Sequence, residues 1–184
     1  MIDSTYLEWF SQHTSDVVVL TWCSATEIDD VLAAYGISSE STQPAYLSDW
    51  GLRMLIGRLG NGTVIMDYGV DPATGEALPA LAQYGPCLSI QWIDDVPPLV
   101  SYRTESGLVV EFDAMDWDWD PVPDLASVER WITATPAGRE TWDNSWGLAT
   151  LITAEAVCHA AVDDEWVRSA HIGVPLDSSA DRIV

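Results

Sequence analysis

Between residues 52 and 112 the chain reads as short apolar segments cut by tight turn signals. Neighbouring antiparallel strands satisfy that pattern and a parallel sheet does not. Leu52–Leu59 and Thr63–Tyr68 flank Gly60-Asn61-Gly62, the signature of a β-hairpin. Cys87–Ile93, Leu99–Thr104 and Leu108–Phe112 follow as three strands of a meander, with Pro97-Pro98 and Ser106-Gly107 as the turns. Connections this short join antiparallel strands, because a parallel partner needs a crossover of about a dozen residues or more.

Helical periodicity flanks this block. Ser4–His13 is expected as a first helix, with Thr5 and Glu8 at capping-box spacing and Tyr6 and Phe10 on one face. Val17–Trp22 is a nearly continuous apolar run and reads as a buried strand. Ser24 and Glu27 repeat the capping-box spacing ahead of Ile28, Val31, Leu32 and Tyr35, and Gly36 ends that helix. Ser38–Asp49 is expected to be a loop, and Asp71–Pro86 a connection with one turn of helix at Ala77–Gln83. In the second half, Asp124 is expected to N-cap a helix carrying Leu125, Val128 and Ile132. Thr135–Ser145 reads as a loop, and a longer helix starts at Leu148 and runs to Ala161. Asp163 caps a last short helix with Trp166 and Val167, and Gly173-Val174-Pro175 ends the ordered chain.

Strands followed by helices, without βαβ alternation, predict an α+β fold: an antiparallel sheet of about six strands packed with N-terminal and C-terminal helices. Residues 1–176 are expected to form a single α+β domain and residues 177–184 a flexible tail. At 184 residues, a single domain buries roughly 70% of its unfolded surface and needs no disulfide or metal to hold its core.

Charge narrows the function. Asp and Glu number 29 against seven basic residues, all of them Arg, for a net charge of −22. Such a field repels nucleic acid and anionic membranes and attracts basic partners. Direct nucleic-acid binding needs a basic face, and seven scattered Arg do not make one. The chain is not a disordered acidic segment, because ten Trp are foreign to that composition. The plainer reading of the charge is a solvated surface in an acidic proteome. Cys23, Cys87 and Cys158 are odd in number and lack CxxC spacing, so they read as reduced core residues of a cytoplasmic protein. Met1–Ser11 is acidic and amphipathic, unlike a signal peptide, and no apolar run reaches the roughly 18 residues of a membrane span.

The order of segments resembles an uncharacterised family, mostly actinobacterial, that carries a domain of unknown function. The resemblance rests on Val18-Val19-Leu20-Thr21-Trp22 with the helix Glu27–Gly36, on Trp50-Gly51 opening a hairpin with Asn61-Gly62 at its tip, and on Glu111-Phe112-Asp113 before a helical C-terminal third. It covers most of the chain. It implies an actinobacterial cytosolic protein and supplies no activity or catalytic residue. Asp116–Asp120 departs from the pattern.

That departure is the most unusual segment: Asp113, then Asp116, Trp117, Asp118, Trp119 and Asp120. If extended, it puts acids on one side and both Trp on the other. Three readings compete. One is a calcium loop, although that loop wants Gly sixth and Glu twelfth and Pro121 and Ser127 stand there. Another is a solvated edge. The third is an acidic surface with aromatic anchors for a basic protein partner, and these six residues are the candidate contact. Glu155 and His159 are four apart on the expected long helix and read as a half-buried structural pair rather than acid/base or metal-binding groups. No catalytic motif is present, so no catalytic residue, cofactor or metal is assigned. The expected function is a non-catalytic acidic binding protein of the inhibitor, immunity or DNA-mimic type. An accessory subunit with incidental charge is the alternative, ahead of a sugar- or small-molecule enzyme.

Overall fold

The computed structural model describes residues 4–14, 17–69, 74–93, 96–115 and 124–176; the expected tail, 177–184, lies outside them. Helix α1 (Ser4–His13) is followed by β1 (Val19–Ser24), α2 (Ile28–Ala34), a 3-10 turn at Ser39–Ser41, and strands β2 (Gln43–Ala45), β3 (Leu52–Leu59) and β4 (Gly62–Asp67). Then come α3 (Thr74–Leu81), β5 (Cys87–Ile93), β6 (Val96–Thr104) and β7 (Gly107–Asp113). The last part holds α4 (Leu125–Ala134), α5 (Gly138–Asn144), α6 (Trp146–Cys158), α7 (Asp164–Arg168) and β8 (His171–Pro175).

The strands form one open antiparallel sheet in the order β2-β8-β3-β4-β1-β5-β6-β7. The architecture is α+β, with eight strands among the described residues rather than about six. The expected hairpin is present: Leu59 pairs with Gly62 across Gly60-Asn61. Gly60 has φ +56, and a Cβ there would lie 2.4 Å from the Cys158 carbonyl oxygen, so two independent constraints demand glycine.

Alternation along each strand sorts side chains onto two faces. On one face Leu20, Trp22, Val64, Leu88, Ile90, Val100 and Phe112 pack under α1 and α4 to α7. On the other, Cys23, Met54, Ile56, Ile65 and Cys87 pack under α2 and α3. Strands at the sheet centre are therefore covered twice, and every residue of β4 is buried. This explains why their sequences run apolar without alternating.

Several local expectations change. The second capping box is not Ser24 with Glu27: α2 begins after Glu27, whose N–H donates to Asp30 Oδ2 at 3.3 Å. The other end of α2 follows the rule expected of Gly36. Gly36 has φ +65, its N–H donates to Ala33, and that of Ile37 donates to Leu32 at 2.8 Å, a Schellman motif. Pro97-Pro98 is not a turn but the start of β6, and the Pro98 carbonyl accepts from Ala114 N–H. Ser38–Asp49 is not all loop, and residues 173–175 are strand. They hold β2 and part of β8, and β8 inserts between β2 and β3.

Thr135–Ser145 contains α5, seated by Trp142, which is 2% exposed and edge-on to Phe112 at 5.6 Å. Asp124 does stand at the N-cap of α4, but with φ 61 and no side-chain bond; its carbonyl accepts from Ser127 and Val128. Asp163 caps α7 as expected, its Oδ1 accepting from Trp166 N–H at 2.8 Å. Helix α6 stops at Cys158 rather than Ala161, because His159 turns left-handed (φ 56). The hairpin's Asn61 N–H captures the Cys158 carbonyl at 3.0 Å.

Candidate functional site

Of the six residues expected to meet a partner, Asp113 is described and Asp116, Trp117, Asp118, Trp119 and Asp120 lie outside the described residues. Asp113 ends β7, the last strand of the sheet. Its carboxylate accepts from Met115 N–H at 2.8 Å and closes the strand's end. Among the described residues no strand pairs with the outer edge of β7. The Ala114 N–H donates to Pro98 at 2.8 Å. Antiparallel alternation therefore turns the main-chain groups of Glu111 and Asp113, which pair with Ser101 and Leu99, away from β6.

The side chains of this edge are acidic and apolar together. Glu111 is exposed, Asp113 is half-buried, Leu108 is 48% exposed and Val109 is 42% exposed. Beside them on β6, Ser101 Oγ and Arg103 Nε are buried with no hydrogen-bond partner. Such groups cost roughly 1–3 kcal/mol each when left unpaired. Nothing in the sequence pattern marks them, since Ser and Arg in a strand read as outward-facing polar positions.

A second surface escaped sequence reasoning. Between the end of α1, the β2–β3 loop, α7 and the end of β8 lies a cleft of about 870 Å³, lined by Tyr46, Trp50, Tyr68, Asp49, Arg168 and His13 among others. Trp50 is 91% exposed, whereas Trp22, Trp142 and Trp166 are buried. Its loop is nonetheless held firmly. Tyr46 N–H donates to Asp49 Oδ2 at 2.9 Å, Asp49 N–H to the Tyr46 carbonyl at 3.0 Å and Leu176 N–H to the Gly51 carbonyl at 2.9 Å. Gly51 has φ +77, a conformation other residues adopt only with strain. The available signal was a Trp set in a Ser- and Asp-rich loop, outside any apolar period.

Glu155 lies near Tyr6 of α1. The Tyr6 phenol is pushed up to about 12 by burial, with the Glu155 and Asp163 carboxylates adding to the shift and a Val162 backbone bond opposing it. His159, left-handed beyond the end of α6, is exposed and off the helical spacing that would stack it on Glu155. It lines a groove of about 430 Å³ with Tyr102 and Trp131.

The three cysteines are free and buried. Burial, and next a hydrogen bond with Cys87, holds the Cys23 thiol well above the usual thiol range. Burial, and next the neighbouring Cys87, raises Cys158 to about 12. Thiols kept protonated in this way are inert. Among the described residues no group of three or more His, Cys, Asp or Glu is arranged to hold a metal ion, and no helix is long and apolar enough to cross a membrane.

Ion pairing leaves most of the charge unbalanced. Arg58 pairs with Glu27 at 3.0 Å, Arg139 with Glu129 and with Asp143, and Arg168 with Asp164 at 3.3 Å. All are solvent-exposed pairs, worth about 1 kcal/mol or less each. No known protein family, curated protein or solved structure matches the chain.

Proposed function

We propose that this chain is a non-catalytic acidic binding protein, of the inhibitor, immunity or DNA-mimic type, that captures a basic protein through the open edge of β7. The observation that carries the reading is that, among the described residues, no strand pairs with the outer edge of β7, which presents Glu111 together with exposed Leu108 and Val109. An edge of this kind takes an added strand, with main-chain bonds supplying affinity and alternate side chains supplying specificity. The favoured occupant is an extended segment alternating basic and apolar residues. A second copy of the chain is disfavoured, because it would set Glu111 and Asp113 against their own kind within a pair already carrying −22 each. The Asp113–Asp120 stretch continues from the same edge in sequence and belongs to the proposed contact.

The test uses a synthetic peptide of alternating valine and lysine, titrated calorimetrically at low and high salt. Glu111→Gln removes one charge and should slow association and flatten its salt dependence. Glu111→Pro also removes an outward N–H while sparing the ladder to β6, a place where an edge tolerates proline. It should weaken binding well beyond Glu111→Gln. Equal affinity of the two variants, with both folded by circular dichroism, refutes strand addition. The alternative of an accessory subunit with incidental charge draws on the spread of exposed carboxylates over α1, α2, α4, α5 and α7. It predicts no salt-dependent binding of the basic peptide at all.

A further inference from the structure

We infer that the cleft around Trp50 is a binding site for a neutral saccharide, separate from the β7 edge. The first reason is Trp50 itself. An indole left 91% exposed on a loop tied down by hydrogen bonds at Tyr46, Asp49 and Gly51 is held out rather than merely unpacked. Packing can seat Trp142 and Trp166 within this fold, so the chain has buried sites for large rings. The loop instead uses a left-handed glycine, Gly51, to present this one to solvent.

The second reason is the polar complement. Tyr46 and Tyr68 join Trp50 as flat apolar faces, of the kind that pack against the C–H face of a sugar ring. The groups around them are both donors and acceptors. Asp49 has one carboxylate oxygen engaged by Tyr46 N–H, and the other is left to accept. His13 sets Nδ1 on the Trp9 carbonyl at 2.7 Å, which leaves Nε2 to an outside partner. Arg168 keeps donors beyond its single bond to Asp164. Hydroxyls of a saccharide give and take hydrogen bonds at once and match this mixture.

The third reason is charge. In a chain of −22 the described lining carries one carboxylate, Asp49, and one guanidinium, Arg168, which Asp164 already pairs at 3.3 Å. A site built for a basic side chain would gather several carboxylates in its wall rather than one, and the surrounding field repels phosphates and other anions. A volume of about 870 Å³ lies within the range of ligand clefts. Among the described lining residues Asp49 is the one carboxylate, so they show no facing acid pair of the glycosidase kind, and the inference is one of binding.

The probes are tetrasaccharides of β-glucose, α-glucose, N-acetylglucosamine, xylose and mannose, each titrated to millimolar concentration while tryptophan fluorescence is recorded. At least one should give a saturable shift that Trp50→Ala weakens by about tenfold or more. Trp50→Phe should lose the fluorescence change while calorimetry still detects binding, and Asp49→Asn should weaken binding. Because Trp50 touches little, its two variants should melt as the wild type does. Glu111→Gln should bind the sugar unchanged, which separates this site from the β7 reading. Failure of all five sugars to saturate, equal binding by Trp50→Ala, or displacement of the sugar by the valine–lysine peptide overturns the inference.

Discussion

Replacing Gly57 with alanine puts a methyl group where the structure has no room. Gly57 lies within β3, and a Cβ there would sit 2.6 Å from His171 Nδ1 and 2.6 Å from Trp166 Cζ2. Carbon contacts are most favourable at about 3.5–4.0 Å, so something must move. Neither ring moves cheaply. Trp166 Nε1–H donates to the Arg58 carbonyl at 2.6 Å, His171 Nε2 lies 2.9 Å from the Trp166 carbonyl, and the rings pack with centroids 4.2 Å apart. Overpacking costs about 1–3 kcal/mol, and two pinned rings put this case near the top. Alanine in a strand interior recovers about 0.5–1 kcal/mol relative to glycine. The net loss is then about 2 kcal/mol, or a Tm lower by about 4–8 °C for a chain of this size. Thermal melts by circular dichroism measure it, and urea unfolding should show a lower midpoint at unchanged slope. In a His171→Ala background one of the two contacts is gone, so the penalty of Gly57→Ala should shrink. An unchanged or raised Tm, or an equal penalty in both backgrounds, refutes the reasoning.

Burial holds the His171 imidazole below its ordinary pKa, against a smaller opposite pull from the Trp166 carbonyl. The unfolded chain therefore takes this proton first as pH falls. The His171 contribution to stability is complete above about 6.5 and is lost below it, toward the lowered folded value. The stability advantage of wild type over His171→Gln, from urea midpoints, should narrow between pH 7.5 and 5.5, and a constant advantage would count against it. Cys23 and Cys158 should resist Ellman's reagent in the native protein and react once it is denatured; rapid native labelling would show that the buried thiols are reachable. Tm should rise from 0.1 to 1 M sodium chloride, as the Debye length falls from about 10 Å to about 3 Å, and a flat or falling Tm would show that the carboxylates are already well spaced.

Local chemistry in the sequence determined the elements whose causes are local. The 3.6-residue spacing from Ile28 to Tyr35 with Gly36 made α2, Gly60-Asn61-Gly62 made the β3–β4 hairpin, and Asp163 capped α7. Tight turns also settled the antiparallel pairing and the α+β class. Strands β2 and β8 were hidden because each is short and lacks a period of its own. They exist by pairing with each other and, for β8, with β3, across more than a hundred residues of chain. Helix α5 was hidden because Gly138 and the threonines around it argue against a helix, and the burial of Trp142 against Phe112 and Trp131 overrides them. Composition announced an acidic chain rich in Trp, but not which ring would stay outside. The loop that carries Trp50, before β3, is tied to the end of β8, and the cleft beside it joins α1 and this loop to α7 and β8, segments far apart in sequence. A sequence states each residue's preference for water or core. Which preferences are satisfied depends on long-range packing, and that is decided when the sheet closes its order.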